Sequence, residues 1–259
     1  MVATRPESDL KALGQTLLTI GTLLMSAGAN SRRIRKTLER IAAAFDCNVE
    51  LLITHRALMI TVNDDEVEHF HSGLKRTSPH GVNFRVVSGI SRMSWRVVQE
   101  NWSIDQINEE VQRLLALPQY PRLVILLLVS LAGAAFCRLF EGSYADMLVA
   151  FSATFVGMIV RQLAIKKAFN PYLGIFAAAF TSSMIASAGI QLSGVIQEPA
   201  LTAAVLYLIP GVPLINSFSD LLHGNIMNGI VRGAHGLMIA FSIAVGLMLA
   251  LKISQLMVL

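Results

Sequence analysis

The sequence predicts an α-helical integral membrane bundle of about five transmembrane helices, one of them broken, preceded by a cytoplasmic α+β domain. Charge is split unevenly along the chain. Residues 1–120 hold 27 of the 38 Lys, Arg, Asp and Glu, and residues 121–259 hold 11. The later half also contains near-chargeless runs of the roughly 20 residues that span a bilayer. The earlier half mixes capped helix patterns with short alternating runs, as an α+β domain does.

In the first 120 residues, Ser8 or Asp9 can cap a helix running to about Ser26, and Asn30 or Ser31 a second from Arg32 to Phe45. Ile34, Leu38, Ile41 and Phe45 share one face of that second helix. Leu17–Met25 followed by Ser26-Ala27-Gly28-Ala29 has the outline of a signal peptide. Glu7 and Asp9 beside Arg5 and Lys11, with polar Gln15, Thr16, Thr19 and Thr22, favour an amphipathic helix. Strands are expected at Val49–Thr54, Ala57–Val62, Glu66–His71 and Val82–Val87, with a hairpin turn at Asn63-Asp64-Asp65. Helices near Met93–Gln99 and Ile104–Leu115, the second capped by Ser103, close the domain before Pro118 and Pro121.

The spans are expected at 123–140, 143–160, 172–192, 200–222 and 234–256. Arg113, Arg122, Arg161, Lys166, Lys167 and Arg232 flank one side, against Arg138 and Lys252 on the other. The Lys/Arg bias therefore places the N-terminus in the cytoplasm. The fourth span is broken at Pro210-Gly211-Val212-Pro213, which falls near the bilayer midplane. Two prolines remove backbone donors there, and Pro213 suits the first position of a new half-helix, whose N–H groups can receive a carboxylate. A simple proline kink is the alternative. Beyond the break, Asn216, Asp220 and His223 recur at i, i+4 and i+7 as one polar stripe. Water at an inner helix end would equally account for them. Asp146 in the first turn of the second span is either an intramembrane acid or a complement to the helix dipole. Arg161 either meets an anion at the cytoplasmic mouth or anchors a helix end.

Other classes are excluded or disfavoured. Two cysteines, Cys47 and Cys137, do not make a disulfide scaffold. No strong basic stripe supports nucleic-acid binding, since the basic residues of the first half are nearly matched by acids. His55, His69, His71 and His80 invite a metal site, but the ligand spacing does not support zinc and a solvated strand face is favoured. Neither a metal nor a cofactor is expected, and no catalytic motif is found.

The stretches Tyr120-Pro-Arg-Leu through Ala135-Phe-Cys-Arg-Leu139, Ile159-Val-Arg-Gln-Leu163, Leu208-Ile-Pro-Gly-Val-Pro-Leu-Ile-Asn216 with Asp220, and Gly229-Ile-Val-Arg232 resemble the threonine/serine exporter family, in its short YjjP-like branch. The resemblance covers nearly the whole chain. It implies a bacterial inner-membrane exporter of small carboxylates rather than an enzyme. It implies C4-dicarboxylates such as succinate as cargo, threonine and serine as the alternative, and a YjjB-like small membrane subunit as partner. Self-association stays open. On that reading Pro210, Gly211 and Pro213 help bind a substrate carboxylate and Asn216 orients it. Asp220 couples transport to protons or meets an ammonium group, with His223 and Asp146 as further polar candidates. Arg161 or Arg232 draws anions from the cytoplasm. A membrane-anchored enzyme using the α+β domain, or a sensor or scaffold, is the rival of another class.

Overall fold

The computed structural model describes residues 7–64, 70–77, 81–118, 120–193 and 198–257. By its contacts the chain divides into two compact units, 1–118 with 212–234, and 119–211 with 235–259. The segment 212–234 thus counts with the first unit, although its hydropathy resembles that of the apolar half.

In the first unit, α1 (Glu7–Ser26) and α2 (Ser31–Ala43) precede the antiparallel strands β1 (Cys47–Ile53), β2 (Ala57–Asp64) and β3 (Phe70–Arg76), in the order β1-β2-β3. Then come α3 (Phe84–Glu100) and α4 (Ile104–Ala116). The core joins Leu13, Leu17, Ile20 and Leu24 of α1 to Ile34, Leu38 and Ile41 of α2, and to Leu58, Ile60 and Val62 of the central strand. Leu17–Met25 is therefore the C-terminal half of a packed core helix. Gly21 lets α1 approach the sheet, since a Cβ there would run into Leu58. Asn30 caps α2 by accepting the Arg33 N–H at 2.8 Å, and Ser103 forms a capping box with Gln106 on α4.

Two expectations about strands change. Val82–Val87 is not a strand. Asn83 accepts the Val86 N–H at 3.2 Å and starts α3, whose Val86, Val87, Ile90, Met93 and Val97 are buried at helical spacing. Packing of that stripe outweighs the β-preference of two valines. Asn63 and Asp64 are strand residues rather than turn residues, Asn63 pairing with both Asn48 and Phe70. Asp65, the first four residues of the expected Glu66–His71 strand and His80 lie outside the described residues.

In the second unit, α5 (Arg122–Leu139), α6 (Tyr144–Lys166) and α7 (Pro171–Ser193) are followed by α8 (Glu198–Val205) and a 3₁₀ turn, Leu206–Leu208. Close packing rests on small residues: Ala150, Ala153 and Gly157 of α6, Ala178, Ser182 and Ala186 of α7, and Ala200, Ala203 and Ala204 of α8. A Cβ on Gly157 would strike Ser182 and Tyr207.

Next, α9 (Gly211–Leu222) and α10 (Ile226–Leu256) run from one unit to the other. The helix of the fourth apolar segment resumes at Gly211 rather than Pro213, so Pro213 lies in its first turn, where a missing donor costs nothing. With 31 residues, α10 is about 46 Å long at 1.5 Å per residue and exceeds the roughly 30 Å of a bilayer core. Among the described residues four helices are long and apolar enough to cross a membrane: α5, α6, α7 and α10. The bent pair Glu198–Leu208 and Gly211–Leu222 makes a fifth if taken as one span.

A Schellman turn joins α9 to α10. Gly224 has φ +78°, its N–H bonds Leu221 O at 3.1 Å, and Asn225 N–H bonds Asp220 O at 2.8 Å. Gly224→Ala should cost about 1 kcal/mol, because a Cβ is strained in this region. Gly224→Asn should cost less, since Asn tolerates it. Thermal unfolding of the two variants in detergent checks the ranking.

Candidate functional site

The polar groups gather at two places, one in each unit. In the first unit, the short link between α1 and α2 (Ala27–Asn30) presents backbone groups that neither helix satisfies. Side chains of α9 and the start of α10 satisfy them. Asn216 Nδ2 donates to Gly28 O at 2.8 Å, and Arg232 Nη2 donates to Ala29 O at 3.2 Å. Asn30 Nδ2 donates to Ser219 Oγ at 3.2 Å, and Asn228 Nδ2 donates to Ile53 O at 2.7 Å.

Asp220 lies at the centre and is fully buried. Its Oδ1 accepts the Ser31 N–H at 3.0 Å, and its Oδ2 accepts the Ser31 hydroxyl at 3.2 Å. Arg232 Nη1 stands 2.9 Å from Oδ2. The carboxylate therefore receives a first-turn N–H of α2 and neutralises a guanidinium that is itself only 7% exposed. The Gly224 turn brings together two residues twelve positions apart in sequence. His223 completes the junction. Its Nε2 lies 2.6 Å from Arg32 Nη1 and its Nδ1 2.7 Å from Ser219 O. Arg32 can only donate, so Nε2 accepts and Nδ1 carries the proton.

In the second unit, a partly enclosed cavity of about 280 Å³ is lined by Val129, Gly133 and Phe136 of α5, Met158 and Arg161 of α6, and Leu206 and Tyr207, among others. Arg161 supplies its one charge. Its Nη1 reaches Tyr207 O at 3.4 Å, a long contact, and no carboxylate lies within ion-pair distance among the described residues. Tyr207 is held from behind: its hydroxyl is 3.1 Å from Ser182 Oγ, which donates to Ala153 O at 3.1 Å. The result is a fixed wall, a cation and little competing polarity.

The structure thus brings Asn216, Asp220, His223 and Arg232 into one network, with Pro213 in the first turn of the same helix. It places Arg161 at a separate cavity. Pro210 and Gly211 follow the 3₁₀ turn, where Gly211 N–H bonds Ile209 O at 2.9 Å. Asp146 is the N3 residue of a capping box on α6. Its Oδ2 accepts the Ser143 N–H at 2.7 Å, while its buried Oδ1 has no hydrogen-bond partner. His71 of β3 packs against Gly14 of α1. Cys47 and Cys137 are buried in different units. Sequence reasoning missed Ser31 as the partner of Asp220, Asn228 as the donor to Ser31 Oγ and Ile53 O, and Tyr207 as the wall beside Arg161. Asn30 and Ser31 were visible as caps. Nothing local in the sequence pairs segments about 190 residues apart.

Four helices of span length and apolar composition among the described residues fit a multi-pass membrane protein. The family model ThrE, "Putative threonine/serine exporter", matches residues 15–254. The chain belongs to the threonine/serine exporter family and is a transporter of that family. It is 28% identical over 247 residues to the "Probable succinate transporter subunit YjjP" of Escherichia coli K12, covering 94% of this chain and 95% of that one. The protein of the same name from Klebsiella aerogenes is 26% identical over 249 residues, covering 95% of each chain. The "Probable threonine/serine exporter" of Mycobacterium tuberculosis is 21% identical over 252 residues, which span 91% of this chain and 45% of that protein. No solved structure matches.

Proposed function

We propose that the chain is one subunit of a secondary exporter in the bacterial inner membrane. Its substrates are small carboxylates, foremost C4-dicarboxylates such as succinate, and it works with a YjjB-like small membrane subunit. The observation that carries this reading is Arg161, a cation with no acidic partner among the described residues, facing a cavity of about 280 Å³ with otherwise mostly apolar walls. A guanidinium in that setting pairs a carboxylate in fork geometry. The lining contains no acid to meet an ammonium group, which favours a dicarboxylate over threonine or serine. The names of the two YjjP relatives agree with that choice. One arginine serves one carboxylate, so the second is assigned to groups from the partner subunit.

On this reading the α+β domain of residues 1–118 lies in the cytoplasm, in keeping with the Lys/Arg bias. Substrate enters toward Arg161, and Pro210, Gly211 and Pro213 interrupt the helix of the fourth apolar segment. Asn216, Asp220, His223 and Arg232 fasten the α9–α10 turn to the link before α2, so movement of that turn is felt by the α+β unit. Proton coupling through Asp220 would require this network to open. Asp146 orders the start of α6.

The test is efflux from proteoliposomes loaded with labelled succinate, threonine or serine, with and without the partner subunit. The expected result is succinate efflux that needs both subunits. Equal efflux of serine and threonine would replace the dicarboxylate reading. No efflux of any of the three by a folded complex would sink the substrate class.

A further inference from the structure

The acids and bases of the first 120 residues nearly balance in number, but not in space. Helix α2, SRRIRKTLERIAA, carries Arg32, Arg33, Arg35, Lys36 and Arg40 against the single acid Glu39. Glu39 faces Arg35 at 3.9 Å. Arg32, Arg33, Lys36 and Arg40, with Thr37 and with Ser91 from α3, line a shallow concavity of about 230 Å³. Arg32–Lys36 and Lys36–Arg40 are like-charge pairs at i, i+4, an arrangement that destabilises a helix.

No acid is within ion-pair distance of these four cations among the described residues. Arg32 meets His223, and Arg40 lies 3.8 Å over the Trp95 ring and donates to Ser94 Oγ at 2.8 Å. Arg33 and Lys36 project from an exposed helix face.

Position in the same unit indicates what they face. Arg32 touches the turn between α9 and α10, the end of two apolar segments. Beside that turn Phe218, Leu222, Ile226, Met227 and Ile230 are each more than half exposed, as lipid-facing residues are. Cations clustered at the end of a lipid-exposed hairpin stand at the height of phospholipid headgroups, where each basic residue strengthens binding to anionic lipid by about fivefold.

We infer that the α2 concavity is a headgroup site for anionic phospholipid, with the lipid phosphate held between Arg33, Lys36 and Arg40. This rests on the geometry of the first unit and does not depend on the substrate.

The test is to reconstitute the full chain in nanodiscs of phosphatidylcholine with one-fifth phosphatidylglycerol, and to measure phosphatidylglycerol retained after extraction relative to the bulk ratio. Arg33→Gln/Lys36→Gln changes two exposed side chains and should leave the fold intact, which a thermal melt verifies. The expected result is enrichment in the wild type that falls roughly twenty-fivefold in apparent affinity in the double variant. Lys166→Gln/Lys167→Gln, a control for basic residues elsewhere, should keep most of it. Equal enrichment in wild type and Arg33→Gln/Lys36→Gln overturns the site. Trp95 fluorescence in a Trp102→Phe background gives the second readout. It should respond to phosphatidylglycerol and not to millimolar inorganic phosphate. A full response to inorganic phosphate alone in phosphatidylcholine discs assigns the site to a soluble anion and overturns the lipid.

Discussion

Asp220→Ala should destabilise the purified chain by about 3–5 kcal/mol, the range for breaking one side of a buried ion pair. The variant strands Arg232 with a single carbonyl, Ala29 O, and deprives the Ser31 N–H and hydroxyl of their acceptor. At roughly 3 °C per kcal/mol, the melting temperature in detergent should fall by about 10 °C. Asp220→Asn should fall between, because an amide oxygen still accepts from Ser31 while the guanidinium loses its counter-charge. The decisive variant is the double one. Asp220→Ala/Arg232→Met removes both charges and leaves no unpaired ion, so it should recover most of the loss. If the double variant is as unstable as the sum of the two singles, the pair is not coupled as the 2.9 Å contact implies.

Arg161→Gln should leave the melting temperature within a few degrees and reduce succinate efflux by roughly a hundredfold, the equivalent of about 3 kcal/mol for a lost charge-assisted contact to a carboxylate. The two effects separate because Arg161 holds no acid among the described residues. Its hydrogen bond among the described residues is the 3.4 Å approach to Tyr207 O, so removing the guanidinium breaks little and relieves a desolvated charge. Arg161→Lys should restore part of the rate, since a point charge remains but the planar fork does not. Efflux at saturating and limiting succinate distinguishes a binding loss from a slower cycle. Unchanged efflux in Arg161→Gln would remove the cavity from the transport path.

The apolar helices were legible because hydropathy is a property of each segment alone. The caps were legible for the same reason: Asn30 and Ser103 do what their types and spacing suggest. Val82–Val87 was misread because two adjacent valines carry a local β-preference. What decides is the buried face continued by Ile90, Met93 and Val97, which lies outside that six-residue window. The span expected at 234–256 begins eight residues earlier as a helix, because Gly224 and Asn225 set the turn and hydropathy does not see it.

The polar stripe of Asn216, Asp220 and His223 was visible, and so was Arg232. Their partners were not. Asp220 pairs with Ser31 across 189 positions, and Asn228 reaches Ile53 across 175, distances over which a single sequence carries no periodic signal. The basic concavity escaped for a related reason. A count over 120 residues averages away a cluster that one helix face concentrates within nine positions, Arg32 to Arg40.

The most direct test of the transport account is the structure of this chain with its partner subunit in a lipid disc at saturating succinate. A carboxylate is expected on the Arg161 guanidinium, within the space bounded by α5, α6 and the Leu206–Leu208 turn. Succinate bound elsewhere, with that space filled by a lipid chain, would contradict it.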